Sequence, residues 1–301
     1  MRQNSGMAFS GNKLFLPQLM PSNLQPVKTE LVIIVMVSTI RNFLSCLFAF
    51  ALLLLSVSCT SNTSTTPEIT VFAASSLTDA LQEMATVFRA RYPDTTIIFN
   101  FAGSSQLAVQ LIEGVPADLF ASANPTQMQN VVEAGRITAD SVHPFATNQL
   151  TLIVPTDNPG HIMRLTDLSQ PNLRLILAVP GVPVRQYTDE VVAKLGTDFA
   201  NNFYKNVVSE EENVRQVVAK IALGEADAAL VYASDITPDI AQQVQQILIP
   251  AEQNIIATYL IAPIANSSQP ELAQQFNNFI LSPEGQAILS QWGFAPLRSG
   301  N

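Results

Sequence analysis

Ile69-Thr70-Val71-Phe72-Ala73-Ala74-Ser75-Ser76-Leu77 is an apolar, partly β-branched run that passes directly into a turn of small and hydroxyl residues. The segment behind it, Ser76 to Arg91, has a helical period, so the stretch reads as a strand delivering the chain to a helix N-terminus. From Glu68 onward the same alternation recurs, which is the pattern of an α/β fold with mostly parallel sheets. Strands are expected at Ile69 to Ala73, Thr95 to Asn100, Asp118 to Ala121, Leu150 to Pro155, Arg174 to Val179, Ala228 to Val231, Gln245 to Ile249 and Ile256 to Ile261. Helices are expected at Ser76 to Arg91, Ser104 to Glu113, Pro125 to Ala134, Val184 to Leu195, Asn213 to Leu223, Gln269 to Leu281 and Glu284 to Trp292. No internal repeat is evident in the sequence.

A chain of 301 residues suggests two folding units of about 150 residues each. The strands Leu150 to Pro155 and Ile256 to Ile261 sit where such a chain passes between lobes. One lobe is then discontinuous, 68–147 plus 257–301, with 148–256 inserted as the second. Ligands of open α/β sheets bind beyond the carboxyl ends of strands, which directs attention to the cleft between the lobes. With 48% apolar and 13% charged residues the chain has ample material for a core. A formal net charge of -9, and no Lys/Arg block, argue against a general nucleic-acid binder.

The first 59 residues read as an address. Arg41 precedes an apolar run, Phe43 to Val57, that is shorter than the roughly 20 residues of a transmembrane helix. It ends in small residues before Cys59, which is the pattern of a bacterial lipoprotein signal, with Cys59 as the lipidated first residue and 60–67 as a Ser/Thr-rich tether. An uncleaved membrane anchor is the alternative, and both readings place the rest outside the cytoplasm. Cys46 would be removed with the leader, so the mature chain would have no disulfide. Removal takes away four basic residues (Arg2, Lys13, Lys28, Arg41) and one acid (Glu30), leaving a formal charge of -12.

Four strand-to-helix turns are rich in small or hydroxyl residues or open a helix: Ala73 to Leu77, Phe101 to Ser105, Gly181 to Arg185 and Glu212 to Arg215. A helix N-terminus offers unpaired N–H groups and about half a positive charge, which together suit an anion. Taken alone, Ser76 with Asp79 fits a capping box and Ser104 an ordinary cap. Convergence of four such turns favours a site. Tyr232 adds a phenolic donor at the carboxyl end of the strand Ala228 to Val231, although a lone tyrosine is more often a satisfied core residue.

Catalytic alternatives are thin. His143 and His161 are the only histidines and lie in expected loops, and no mature cysteine exists to build a nucleophile or zinc set. No phosphate-binding or nucleophile-elbow motif occurs. Glu210-Glu211-Glu212 is expected as a solvated run near a helix start.

Several stretches together resemble the periplasmic molybdate-binding proteins of ABC transporters. They are Thr70-Val71-Phe72-Ala73-Ala74-Ser75-Ser76-Leu77, Pro116-Ala117-Asp118-Leu119-Phe120-Ala121-Ser122-Ala123, Val231-Tyr232-Ala233-Ser234-Asp235, and Ser282-Pro283-Glu284-Gly285-Gln286 with Trp292-Gly293-Phe294. The resemblance spans Ile69 to Phe294. It implies a two-lobed class II periplasmic binding fold, each lobe a mixed, mostly parallel sheet flanked by helices. It also implies a monomer without enzymatic activity or cofactor, serving a membrane permease and ATPase. The ligand would be molybdate or tungstate, so that molybdenum is bound only as the oxyanion. Carried over by position, Ser76 and Ser104 each offer a backbone N–H and a hydroxyl, Val184 and Val214 a backbone N–H, and Tyr232 its hydroxyl. The sequence departs from the family at Val184-Arg185, where Ala-Gly is common, and at Ser75. Arg185 could therefore bring a charge to the cleft. Another oxyanion, sulfate or phosphate, is the alternative ligand on the same fold.

Overall fold

A computed structural model describes residues 36–45, 47 and 66–297. The chain divides into two compact units, 1–64 and 65–301. Of the first, 36–45 is helical and exposed, with Arg41 in it; Cys59 and most of the tether lie outside the described residues. Among the described residues no helix is long and apolar enough to cross a membrane.

Among its described residues the second unit has nine strands: β1 (Glu68–Ala74), β2 (Thr96–Ala102), β3 (Leu119–Ser122), β4 (His143–Pro155), β5 (Leu175–Ala178), β6 (Val207–Glu211), β7 (Ala229–Tyr232), β8 (Val244–Leu248) and β9 (Ile256–Pro263). Its α-helices are α1 (Thr78–Arg91), α2 (Ser104–Ile112), α3 (Pro125–Glu133), α4 (Pro183–Lys194), α5 (Thr197–Lys205), α6 (Val214–Ala222), α7 (Pro270–Leu281) and α8 (Pro283–Gln291). Seven strands join in the order β2-β1-β3-β9-β4-β7, with β8 also on β4, and β5 pairs with β6.

β1 is parallel to both β2 and β3, and β5 is parallel to β6, with a parallel bridge from Leu175 to Ala228 just ahead of β7. Every pairing made by β4 and β9 is antiparallel. The sheet is therefore mixed: parallel strand–helix units are stitched together by two returning strands. β3 and β7 are fully buried and read as uninterrupted apolar runs, as covered strands must. α1 turns Ala80, Leu81, Met84, Ala85 and Phe88 to the core, one face of a helix.

β4 is longer than the expected Leu150 to Pro155. Its first part, His143 to Gln149, pairs with β9, and its second, Leu150 to Pro155, pairs with β7 and β8. One strand thus serves both halves of a two-lobed molecule. The halves also share a device that the sequence did not reveal as a repeat. Asp118 N donates to Thr70 O at 2.8 Å while Asp118 Oδ2 accepts from Thr70 N at 2.7 Å. Asp227 and Arg174 make the same reciprocal pair at 2.8 and 2.7 Å. A buried carboxylate satisfied by backbone N–H groups fixes the start of a strand in each half.

β6 and α5 were not expected. α5 is mostly polar, with Phe203 its only fully buried side chain, and β6 carries two acids in five residues. Packing, not pattern, makes these segments regular. Elsewhere the expected elements are found with ends shifted by a few residues.

Candidate functional site

Each of the four turns delivers its residues to one small cavity. β1 runs into a 3-10 turn, Ser75–Leu77, ahead of α1, placing Ser76 beyond the strand's carboxyl end. β2 runs through Gly103 into Ser104, the first residue of α2. β5 leads to Pro183 and Val184 at the start of α4, and β6 to Val214 at the start of α6, where Asn213 caps the helix by accepting from Gln216 N at 3.2 Å. Tyr232 ends β7. Ser76, Ser104, Val184, Val214 and Tyr232 all line the cavity, whose volume is about 10 Å3. The remaining lining is small or apolar, and no charged side chain contributes to it. On that measure a single water-sized sphere needs about 10–15 Å3, so the cavity suits an occupant of a few atoms at most.

Two of the three hydroxyls are prepared as donors. Tyr232 is buried, and among the described residues its hydroxyl has no hydrogen-bond partner. A buried phenol left unpaired costs about 1–3 kcal/mol, which favours binding of a group that accepts its proton. Burial drives its pKa well above the ordinary phenol value, keeping it protonated. Ser104 Oγ accepts from Ala123 N at 3.1 Å, leaving its own proton for the cavity. Ser76 Oγ lies 2.9 Å from Tyr259 Oη. The capping box read from Ser76 and Asp79 does not form. α1 has no side-chain cap, Ser76 turns to Tyr259, and Asp79 pairs with Arg215.

Arg185 points away from the cavity. Its guanidinium donates to Asp189 at 2.8 Å, to Ala178 O at 3.1 Å and to Glu210. Burial works against its charge, and the hydrogen bonds to Glu210 and Asp189 more than offset that, so its pKa is raised. The three consecutive glutamates do not form one solvated run at a helix start. Glu210 and Glu211 end β6, pairing with Arg185 and Lys220, and Glu212 in the following turn accepts from Gln106.

Side-chain contacts join turns far apart in the chain. Arg215 Nη2 meets Asp79 Oδ2 at 2.5 Å, and its Nε lies 3.3 Å from Asp235 Oδ1. Asn124 Nδ2 donates to Gln186 Oε1 at 3.0 Å and Gln127 Nε2 to Gly181 O at 3.2 Å. Burial pushes the Asp235 carboxyl up to about 6, against the lowering influence of Arg215 and the Tyr232 N–H. Gly103 passes so near Glu212 that a Cβ there would stand 2.7 Å from the Glu212 carbonyl oxygen. The pairings among these residues, and Tyr259, carried no sequence signal, because the partners lie far apart in the chain.

Residues 69–295 match the family model described as bacterial extracellular solute-binding protein. Over 229 residues, the molybdate-binding protein ModA of Mycobacterium tuberculosis is 38% identical, covering 75% of this chain and 84% of that protein. The chain belongs to the ModA family of bacterial extracellular solute-binding proteins. Two solved structures share the solute-binding fold. The periplasmic molybdate-binding protein of Azotobacter vinelandii superposes with a TM-score of 0.67 at 19% identity, covering 76% of this chain and all of that one. The sulfate-binding protein SubI of Mycobacterium tuberculosis gives 0.69 at 21%, covering 77% and 88%. Membership of this solute-binding family implies a role in binding for transport rather than catalysis. Among the described residues no group of three or more His, Cys, Asp or Glu could hold a metal ion.

Proposed function

We propose that this solute-binding protein is the extracytoplasmic substrate-binding component of an ABC importer for molybdate and tungstate, and that Ser76, Ser104, Val184, Val214 and Tyr232 hold the oxyanion. The observation that carries this reading is the composition of the cavity: helix N-termini and hydroxyls converge on it, one hydroxyl is unpartnered, and no charged side chain enters. Hydrogen bonds to a charged group contribute about 1.5–3 kcal/mol each, so the seven N–H and O–H donors of these residues can retain a dianion without a cation. The surface charge, screened within about 8–10 Å in salt, does not outweigh donors in direct contact. A wall of donors rejects protonated phosphate, whose O–H would find no acceptor. Sulfate carries no proton and must be excluded by size.

The lobes would be 68–147 with 257–301, and 148–256; the change of β4's partners between Gln149 and Leu150 supports that division. Closure over the anion would create the surface a permease and its ATPase recognise. Cys59 would carry the lipid that holds the monomer at the membrane, outside the cytoplasm.

Titration calorimetry of residues 60–301 with molybdate, tungstate, sulfate and phosphate tests the assignment. Tight one-to-one binding of the first two with weak heat from the others is expected, and preference for sulfate or phosphate would overturn the assigned substrate.

A further inference from the structure

The contacts Asn124 to Gln186, Gln127 to the Gly181 carbonyl and Gln106 to Glu212 join 68–147 to 148–256, and each involves an uncharged side chain. Arg215 with Asp79 is the one ion pair among the described residues that does so. Arg215 follows Val214 at the start of α6, and Asp79 lies in the first turn of α1, three residues after Ser76. Asp235, the second carboxylate near Arg215, accepts the Tyr232 N–H on its Oδ2 at 3.1 Å. One guanidinium therefore stands among the elements that carry Val214, Ser76 and Tyr232 to the cavity.

It meets its two carboxylates unequally. Arg215 Nη2 donates to Asp79 Oδ2 at 2.5 Å. Its Nε lies 3.3 Å from Asp235 Oδ1, close enough to attract but not aligned for a hydrogen bond, and among the described residues neither atom has another partner. The Asp235 side chain is 0% exposed and that of Asp79 29%. Water can replace the guanidinium at Asp79 but not at Asp235, where an unpaired buried charge is costly. When Asp79 withdraws, Arg215 keeps one acceptor, on its own side of the cleft, and Nε and Oδ1 need only align.

We propose that Arg215 is a two-position closure latch, held on Asp235 while the cleft is open and on Asp79 once it is closed, so that it sets the affinity for the anion without touching it. Each position satisfies one carboxylate at the expense of the other. The empty protein thus gains little by closing, and the hydrogen bonds of the anion tip the balance. Asp79 is a positioning residue for the closed state and Asp235 for the open one. The inference rests on the oxyanion reading of the cavity and on the two-lobed division.

The test is calorimetry with molybdate and with sulfate at a pH well above 6, the value to which burial lifts the Asp235 carboxyl, so that both carboxylates are ionised. Asp79→Asn should weaken both anions by the same factor, about three- to ten-fold, that of one partly buried ion pair. Asp235→Asn keeps an oxygen for the Tyr232 N–H but removes the open-state partner, and should tighten both by about two- to five-fold. In an Arg215→Gln background neither substitution should change affinity by more than about two-fold. Losses from both carboxylate variants would mean that Asp235 serves only the fold, and a factor that differs between the anions would put the guanidinium at the ligand. Either result overturns the latch while leaving the oxyanion site intact. Absence of binding by the wild type would overturn both. Small-angle scattering without ligand supplies a second readout, with the fold of each variant verified by thermal melting. Asp235→Asn should bring the radius of gyration toward the anion-bound value, and an unchanged radius would count against the proposal.

Discussion

Gly103→Ala is a wedge in the closed cleft. Gly103 has φ -61° and ψ 135°, a conformation open to any residue, so the substitution brings no backbone strain of its own. The new Cβ would stand 2.7 Å from the Glu212 carbonyl oxygen, where ordinary contact begins at about 3.4 Å, so the two turns must separate by about 0.7 Å. The obstacle is backbone and cannot swing aside. Overpacking of this kind costs about 1–3 kcal/mol, and it falls on the closed state alone, because an open cleft has room. At 1.4 kcal/mol per decade, the dissociation constant should rise about 5- to 150-fold. The loss should appear in the off-rate, as a closed state that opens more readily. Calorimetry with molybdate, and thermal melts with and without the anion, read both sides. The ligand-free melting temperature should stay near that of the wild type while the shift on adding ligand shrinks. Binding within two-fold of wild type, or a ligand-free melt lowered as far as the liganded one, would refute the reasoning.

Other outcomes follow from the same geometry. Tyr232→Phe removes a buried hydroxyl that has no partner, so ligand-free stability should hold or rise by up to about 1 kcal/mol while anion affinity falls about ten-fold, measured by urea denaturation and calorimetry. Arg185→Ala severs contacts to Asp189, Glu210 and the Ala178 carbonyl, and should cost about 1–3 kcal/mol in urea denaturation without changing anion preference; an altered preference would mean the guanidinium reaches the ligand. Asp235 titrates at about 6 in the folded protein, above its unfolded value of about 3.9, so the folded state holds its proton more firmly. The stability it contributes is complete below about pH 4 and is lost as pH rises to about 6. Asp235→Asn should remove that decline from a urea series, and identical slopes in the two proteins would contradict it.

The sequence revealed most where a strand is buried on both faces and feeds a helix. Ile69 to Ala73, apolar but for Thr70, and Ala228 to Val231 marked two of the strands that feed the site, and the resemblance to the molybdate-binding proteins then singled out the five residues that the fold brings to one cavity. The first half of β4 escaped because His143, Pro144 and Gln149 are exposed and its order comes from the β9 backbone. The support beneath the site escaped for a different reason. Tyr259 lies 183 residues from Ser76, and Asn148 lies 86 from Ser234, so local pattern carries nothing of those contacts. The sequence left open whether Arg185 faces the cleft, because the acceptors that hold it lie on its own helix and on two strands, Asp189, Ala178 on β5 and Glu210 on β6.

The place of β9 between β3 and β4 sets an order of assembly. Leu119 to Ser122 finds its second neighbour only in Leu260 to Pro263, near the end of the chain. Until those residues emerge, β3 is an open, apolar edge able to recruit another chain. Such distant pairing is slow to form, so the first lobe closes last although most of it is made first.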